Sequence, residues 1–276
     1  MALPVIFVFQ EKYHGMNIQE FDTRCRTLFD SFLTFYSGWN AGQLRNVEIK
    51  RQHSLRVSAL CEKLAVALGL GPEEIALARA IGLVHDLGRF PQLMKYNTFN
   101  DAVSVDHAAL AVEELERGNL LQGLDPGVAQ TVKTAVLFHN KLALPAHLPE
   151  QERLFSQILR DADKLDILEV ITDYYQNRDR EPNHTLTWEL PAKGISEKVL
   201  QMLREEKPVE REWVKTQEDI KLMQLSWVYD LNFKPSYRIL SQNRYVDKIF
   251  SVLPKRDEVY EVYRQVRIYV ENKFMN

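Results

Sequence analysis

Pro72-Glu73-Glu74-Ile75-Ala76-Leu77-Ala78-Arg79-Ala80-Ile81-Gly82-Leu83-Val84-His85-Asp86-Leu87-Gly88-Arg89 is the stretch from which the fold can be read. Pro72, followed by Glu73 and Glu74, is a helix start. Proline is preorganised for a first turn, and acids favour the positive end of the helix dipole. Ile75, Ala78, Gly82 and His85 then recur at three- and four-residue steps, so the spacing predicts a helix whose core-directed face ends on a histidine. This helix runs to His85-Asp86, and Gly88 stops it.

The same period recurs on both sides. Ile18, Phe21, Cys25, Leu28, Phe29 and Phe32 mark an amphipathic helix broken by Gly38 and Gly42. A second helix from near Val47 carries Val57, Leu60, Cys61, Leu64 and Leu68, with His53 one turn before Val57, and ends at Gly69-Leu70-Gly71. Pro91 to Asp101 reads as a polar and aromatic loop. Further helices are expected from Asp106 to about Arg117, from the Asp125-Pro126-Gly127 turn through Val128, Val132 and Ala135 to His139, and from about Arg153 to Tyr175. Asn177 to Pro191 turns polar, with a short strand at Thr185 to Leu190. Helices return at Glu197 to Glu205, Val214 to Tyr229, Tyr245 to Val252 and Arg256 to Lys273. The expected fold class is all-α, a helical bundle with additional C-terminal helices packed on it. Residues 1–44 form an N-terminal helical segment, residues 45–175 the domain carrying the chemistry, and residues 176–276 a helical extension of the same globule.

Composition narrows the classes of function. With 45% hydrophobic and 26% charged residues the chain is an ordinary globular protein. A net charge of −3 without a basic block gives no broad nucleic-acid surface, so an acidic substrate has to be held by a metal and a few cations. Cys25 and Cys61 are too few for a disulfide framework, which points to a reducing compartment. No apolar run approaches the roughly 20 residues of a membrane span. The apolar stretch Leu3 to Phe9 lacks a basic leader and a cleavage site, so the expected location is cytoplasmic, with no membrane partner.

His53, His85, His107 and His139 fall on four different helices, each aimed toward the core side, as is Asp163 between Leu159 and Asp166. One buried histidine is most simply an imidazole with a hydrogen-bond partner. Four of them need four separate partners, and the carboxylates of Asp86 and Asp163 add a desolvation cost of several kcal/mol each. A divalent cation answers all of these demands together. Neighbours on a helix point about 100° apart, so His85 and Asp86 reach one ion only at a helix end or with the ion between them. The nitrogen and oxygen ligands favour iron, manganese, zinc, cobalt or nickel over a soft metal.

The ordered set His53, His85-Asp86 and Asp163 resembles the HD superfamily of metal-dependent phosphohydrolases. The phrases His53-Ser54-Leu55-Arg56-Val57, Leu83-Val84-His85-Asp86-Leu87-Gly88-Arg89 and Asp161-Ala162-Asp163-Lys164-Leu165-Asp166 are similar to that family's motifs, over roughly residues 45 to 175. The resemblance implies His53, His85, Asp86 and Asp163 as metal ligands, and His107 and His139 as the additional histidines of members that hold two ions, iron or manganese foremost. By analogy Asp86 bridges the ions, His53, His85 and Asp163 serve one, and His107 and His139 serve the other. The layout is close to that of bacterial HD-type diadenosine tetraphosphate hydrolases. It implies a metal-activated water attacking a small phosphate substrate, with a nucleotide foremost. Asp161 is then a candidate to orient a ligand or a water. Arg89 and Lys164 are candidates to grip phosphate oxygens, against a plain reading as salt bridges. Lys141, Tyr96 and Phe99 are weaker candidates for substrate contact.

Departures from the family's branches leave the substrate open. No Gly-Tyr-Pro signature occurs, and His139 is followed by Asn140-Lys141-Leu142 rather than a second histidine and a glutamate, which disfavours the cyclic-di-GMP phosphodiesterases. The chain is shorter than the large deoxynucleotide triphosphohydrolases, and Leu165-Asp166-Ile167 does not match the alarmone hydrolases. Two other classes stay open: an HD-type mixed-valent di-iron oxygenase, which uses the same six ligands, and a non-catalytic nucleotide-binding module. Trp213, Trp227, Tyr229 and Phe233 read as core or as a dimer surface.

Overall fold

A computed structural model describes residues 15–34, 40–177 and 190–275 of the chain. Among these residues it shows twelve α-helices, three short 3-10 turns and no strand, so the fold is all-α. Most of the strand expected at Thr185 to Leu190, the stretch Leu3 to Phe9, and Gly38 lie outside the described residues. Among those described, no helix is long and apolar enough to cross a membrane.

The described residues up to Asp163 form one compact unit. Its elements are α1 (Ile18–Thr34), α2 (Ala41–Ala67), α3 (Pro72–Val84), α4 (Arg89–Tyr96), α5 (His107–Arg117), α6 (Pro126–Phe138) and the first half of α7 (Glu150–Gln176). The buried helix is α3, which packs against α1, α2 and α6. Its last three residues, Gly82, Leu83 and Val84, are all buried, and so are Ala76, Leu77, Ala78, Ala80 and Ile81. Gly82 permits the crossing with α2, because a β-carbon there would stand 2.9 Å from both the Ser58 Cα and the Cys61 Sγ. Arg79 ties α3 to α1 and α2 from the rim, with Nη2 2.7 Å from Asp22 of α1 and Nη1 2.8 Å from Glu62 of α2.

Two boundaries differ from expectation. Gly42 does not break a helix: α2 starts at Ala41, because Asn40 and Gln43 exchange side-chain and backbone hydrogen bonds in a capping box. Pro91 does not open a loop either. It sits in the first turn of α4, where a proline removes no intrahelical hydrogen bond, and Phe90 and Leu93 bury one face. Asn97, in the left-handed conformation with φ 52°, ends this helix, and the loop follows only from there.

The residues from Lys164 onward form a second compact unit. It comprises the rest of α7, then α8 (Glu197–Arg204), α9 (Gln217–Ser226), α10 (Lys234–Gln242), α11 (Tyr245–Ser251) and α12 (Asp257–Met275). Val259, Val262, Val266 and Val270 form the buried stripe of α12, which packs on α8, α10 and α11. The helix expected to run to Tyr229 ends at Ser226 and continues as a 3-10 turn, Trp227–Asp230. Helix α10, absent from the periodicity reading, buries Tyr237, Ile239 and Leu240 behind a first-turn Pro235. Trp213, Trp227, Tyr229 and Phe233 are all half-buried.

Candidate metal centre

The six residues expected at a metal come from five helices or helix ends. His53 lies in the middle of α2, His85 caps α3, and Asp86 follows in the turn to α4. His107 opens α5 behind the N-cap Asp106, whose side chain accepts from the Ala108 amide, and His139 caps α6. Asp163 lies on α7. Five of the six are buried, and the Asp163 side chain is 16% exposed.

Asp86 divides them into two sets. Its Oδ2 faces His53 Nε2 at 3.5 Å and His85 Nε2 at 3.8 Å. Asp163 Oδ1 joins this set, 3.1 Å from His53 Nε2 and 3.9 Å from His85 Nε2. The other oxygen of Asp86, Oδ1, faces His107 Nε2 at 3.4 Å and His139 Nε2 at 3.8 Å. Within His53–His85–Asp86, and again within Asp86–His107–His139, the ligand atoms all lie within 4.8 Å of one another.

Hydrogen bonds at the far ring nitrogens fix which atoms are available. His85 Nδ1 donates to the Gly82 carbonyl at 2.7 Å and His139 Nδ1 to the Val136 carbonyl at 2.7 Å. His107 Nδ1 donates to Asp101 Oδ2 at 2.6 Å. All three partners only accept, so each neutral ring carries its proton on Nδ1 and a bare lone pair on Nε2. His85 Nε2 is buried with no hydrogen-bond partner, and the bare Nε2 atoms of His107 and His139 face each other at 3.0 Å. Two lone pairs pointed together repel unless a cation lies between them, and atoms ligating one ion at about 2.1 Å stand roughly 3.0 to 3.4 Å apart. The orphaned nitrogen, the opposed pair and the N/O donor set all fit a divalent metal.

Electrostatics keep the donors in the ligating form. Burial lowers the pKa of His85, His107 and His139, the last to about 3, so all three are neutral near pH 7. Burial opposes ionisation of Asp86, but the Lys50 ammonium and the Arg89 guanidinium beside it help hold the carboxyl well below the usual carboxylate range. Asp163 is likewise held low, against its burial, by the hydrogen bond from His53.

The residues expected to act on substrate are placed unevenly. Arg89 reaches the centre, with Nε 3.6 Å from Asp86 Oδ1, but its Nη1 is engaged by Asp101 Oδ1 at 2.8 Å, Gln92 Oε1 at 2.9 Å and the Phe99 carbonyl at 2.6 Å. Lys164 pairs with Asp230 at 2.7 Å, which is the salt-bridge alternative. Asp161 is fully buried, close enough to Cys61 to help raise its thiol pKa. Lys141 pairs with Asp106, and Tyr96 carries Lys95 over its ring. Phe99 lies at the centre, between Lys50 and Arg89.

Four supporting residues escaped the sequence reading. Lys50 donates to Asp86 Oδ2 at 2.8 Å. Its signal was spacing: it precedes His53 by one helical turn on the same face. Asp101 orients His107, and the wholly buried Gln92 holds Asp101 Oδ1, the Ser104 hydroxyl and the Val105 carbonyl at 2.8, 2.9 and 3.0 Å. Arg160, 2% exposed on α7, donates to the carbonyls of Phe138, His139, Lys141 and Leu142 and so closes the end of α6 that carries His139. It sits one turn before Asp163, but nothing in the sequence says what a buried arginine will cap.

Among the described residues, an all-helical fold sets two pairs of histidines around one shared aspartate. Residues 51–168 match the family model of the HD domain, a domain found generally in metal-dependent hydrolases. No curated protein and no solved structure matches the chain.

Proposed function

We propose that this protein is a metal-dependent phosphohydrolase that uses two divalent ions, iron or manganese, on a nucleotide or related small phosphate ester. The observation that carries this reading is the sharing of Asp86, one oxygen toward His53 and His85 and the other toward His107 and His139, with Lys50 and Arg89 beside it. His53, His85, Asp86 and Asp163 would hold one ion and Asp86, His107 and His139 the other. Bound there, such ions lower the pKa of water toward neutrality and draw negative charge off phosphoryl oxygens. The chain's own part is to present the bare Nε2 atoms of His85, His107 and His139, to keep both aspartates ionised, and to place cations where an anionic substrate arrives.

Metal analysis of the purified protein, followed by a panel of nucleotides, dinucleotides and phosphodiesters with added manganese, tests this. Two ions per chain and hydrolysis that vanishes in His53→Ala and Asp163→Ala are expected. A silent panel, with substrate-dependent oxygen uptake by the iron-loaded protein, would transfer the same ligand set to the oxygenase class.

A further inference from the structure

Lys50 stands on α2 one turn before His53, with 19% of its side chain exposed. Its ammonium donates to Asp86 Oδ2 at 2.8 Å and lies 5.7 Å from the centre of the Phe99 ring. Neighbouring cations are engaged differently. Arg89 Nη1 serves Asp101, Gln92 and the Phe99 carbonyl, Lys141 pairs with Asp106, and Arg160 serves the carbonyls that end α6. Of these four, Lys50 is the one that hydrogen-bonds an oxygen of the candidate metal set.

That oxygen cannot serve two cations equally. A divalent ion held by Asp86 claims the same lone pairs and repels the ammonium. Lysine has a flexible four-carbon stem and three donors, so Lys50 can leave Asp86 without leaving the site. The Phe99 face favours a cation beside it throughout. A largely buried ammonium that loses its carboxylate needs another anionic oxygen, because an unpaired buried charge is costly.

We propose that Lys50 is the substrate-binding cation of this centre: in the metal-loaded protein its ammonium leaves Asp86 and takes a phosphoryl oxygen of the substrate beside Phe99. The nature of that oxyanion rests on the phosphohydrolase reading. Metal alone then binds against Lys50, whereas metal and oxyanion bind with its help.

Isothermal titration of the full chain tests this with inorganic phosphate as the probe on manganese-loaded protein, and with manganese on the metal-free form. Lys50→Met keeps the stem against Phe99 and deletes the charge, Lys50→Arg keeps the charge, and Lys50→Gln stands in should the methionine variant not fold. Phosphate affinity is expected to fall at least tenfold in the uncharged variants and to stay within threefold in Lys50→Arg. Manganese affinity without phosphate is expected to be unchanged or higher in Lys50→Met. A smaller fall in phosphate affinity, no phosphate binding by the parent protein, or weaker manganese binding in Lys50→Met overturns the proposal; the last result would make Lys50 part of the metal site's construction. The phosphohydrolase reading fails separately: Lys50-dependent phosphate binding without hydrolysis of any phosphate ester would retain the lysine's role and remove that reading.

Discussion

A β-carbon added to Gly88 would stand 2.2 Å from the carbonyl oxygen of His107 and 2.6 Å from the Ala111 amide nitrogen. Gly88 itself has φ −64°, a conformation open to any residue, so the glycine is required by closeness rather than by the turn. This main-chain contact brings the His85-Asp86 end of α3 to the first turn of α5, and so joins the two histidine sets.

Gly88→Ala is therefore expected to push α5 away from the His-Asp turn. Both clashing atoms are backbone and cannot rotate aside, so the cost should be about 3 kcal/mol, at the upper end for overpacking. Urea unfolding would show the lost stability. Manganese titration should show the His107–His139 set weakened more than the set containing His53. Parental stability with full metal binding would mean that α5 yields freely, and would remove the argument.

Arg160 acts on the same half of the centre from the other side. Replacing it with methionine leaves the carbonyls of Phe138, His139, Lys141 and Leu142 without its donors in a buried setting, for a loss of roughly 3 kcal/mol. Arg160→Lys should recover little, because a single ammonium cannot span carbonyls that the planar fork reaches together. Chemical denaturation of both variants checks this. A lysine variant as stable as the parent would show that charge, not the fork, closes α6.

Asp101 holds the His107 ring through Nδ1 and is itself held by Arg89 and Gln92. Asp101→Asn keeps the shape but removes the charge that makes His107 a stronger donor at Nε2. Loss of such a supporting carboxylate costs about 10- to 100-fold in metal affinity. The fall should appear in manganese titrations of Asp101→Asn and be absent from a Lys141→Met control, since Lys141 pairs with Asp106 and not with Asp101. Equal affinities for Asp101→Asn and the parent would leave the 2.6 Å contact without a function.

The helices were legible because α5 and α6 each bury one face at a regular period while α3, buried on nearly every side, reads as an apolar run behind a helix start, and a histidine that continues an apolar stripe must point where the stripe points. The centre's supports were not, because they depend on which loops meet. Asp101 lies in a 3-10 turn with no periodicity, Asp101–Val103, and its partners Arg89 and Gln92 belong to a helix that Pro91 disguised as a loop. Arg160 illustrates the same limit: its helical spacing places it beside Asp163 but says nothing of the α6 carbonyls. The division of the chain within α7, between Asp163 and Lys164, likewise follows from packing and not from any Gly- or Pro-rich break in that helix.

Removing metal should expose how poorly the donors satisfy one another. Without an ion, His85 Nε2 has no hydrogen-bond partner and the lone pairs of His107 and His139 oppose each other, so the native state carries costs that the unfolded chain does not. A ligand that binds only the folded form adds RT ln(1 + [L]/Kd), about 2.7 kcal/mol at a hundredfold excess over Kd. Thermal melting in a chelator should thus occur several degrees lower than with manganese, and restored manganese should reverse the change. His85→Leu deletes the orphaned nitrogen while filling a similar volume in a fully buried position. Its metal-free form should melt no lower than the metal-free parent, and it should gain much less from manganese. A His85→Leu protein stabilised by manganese as strongly as the parent would place the ion elsewhere than between His53, His85 and Asp86.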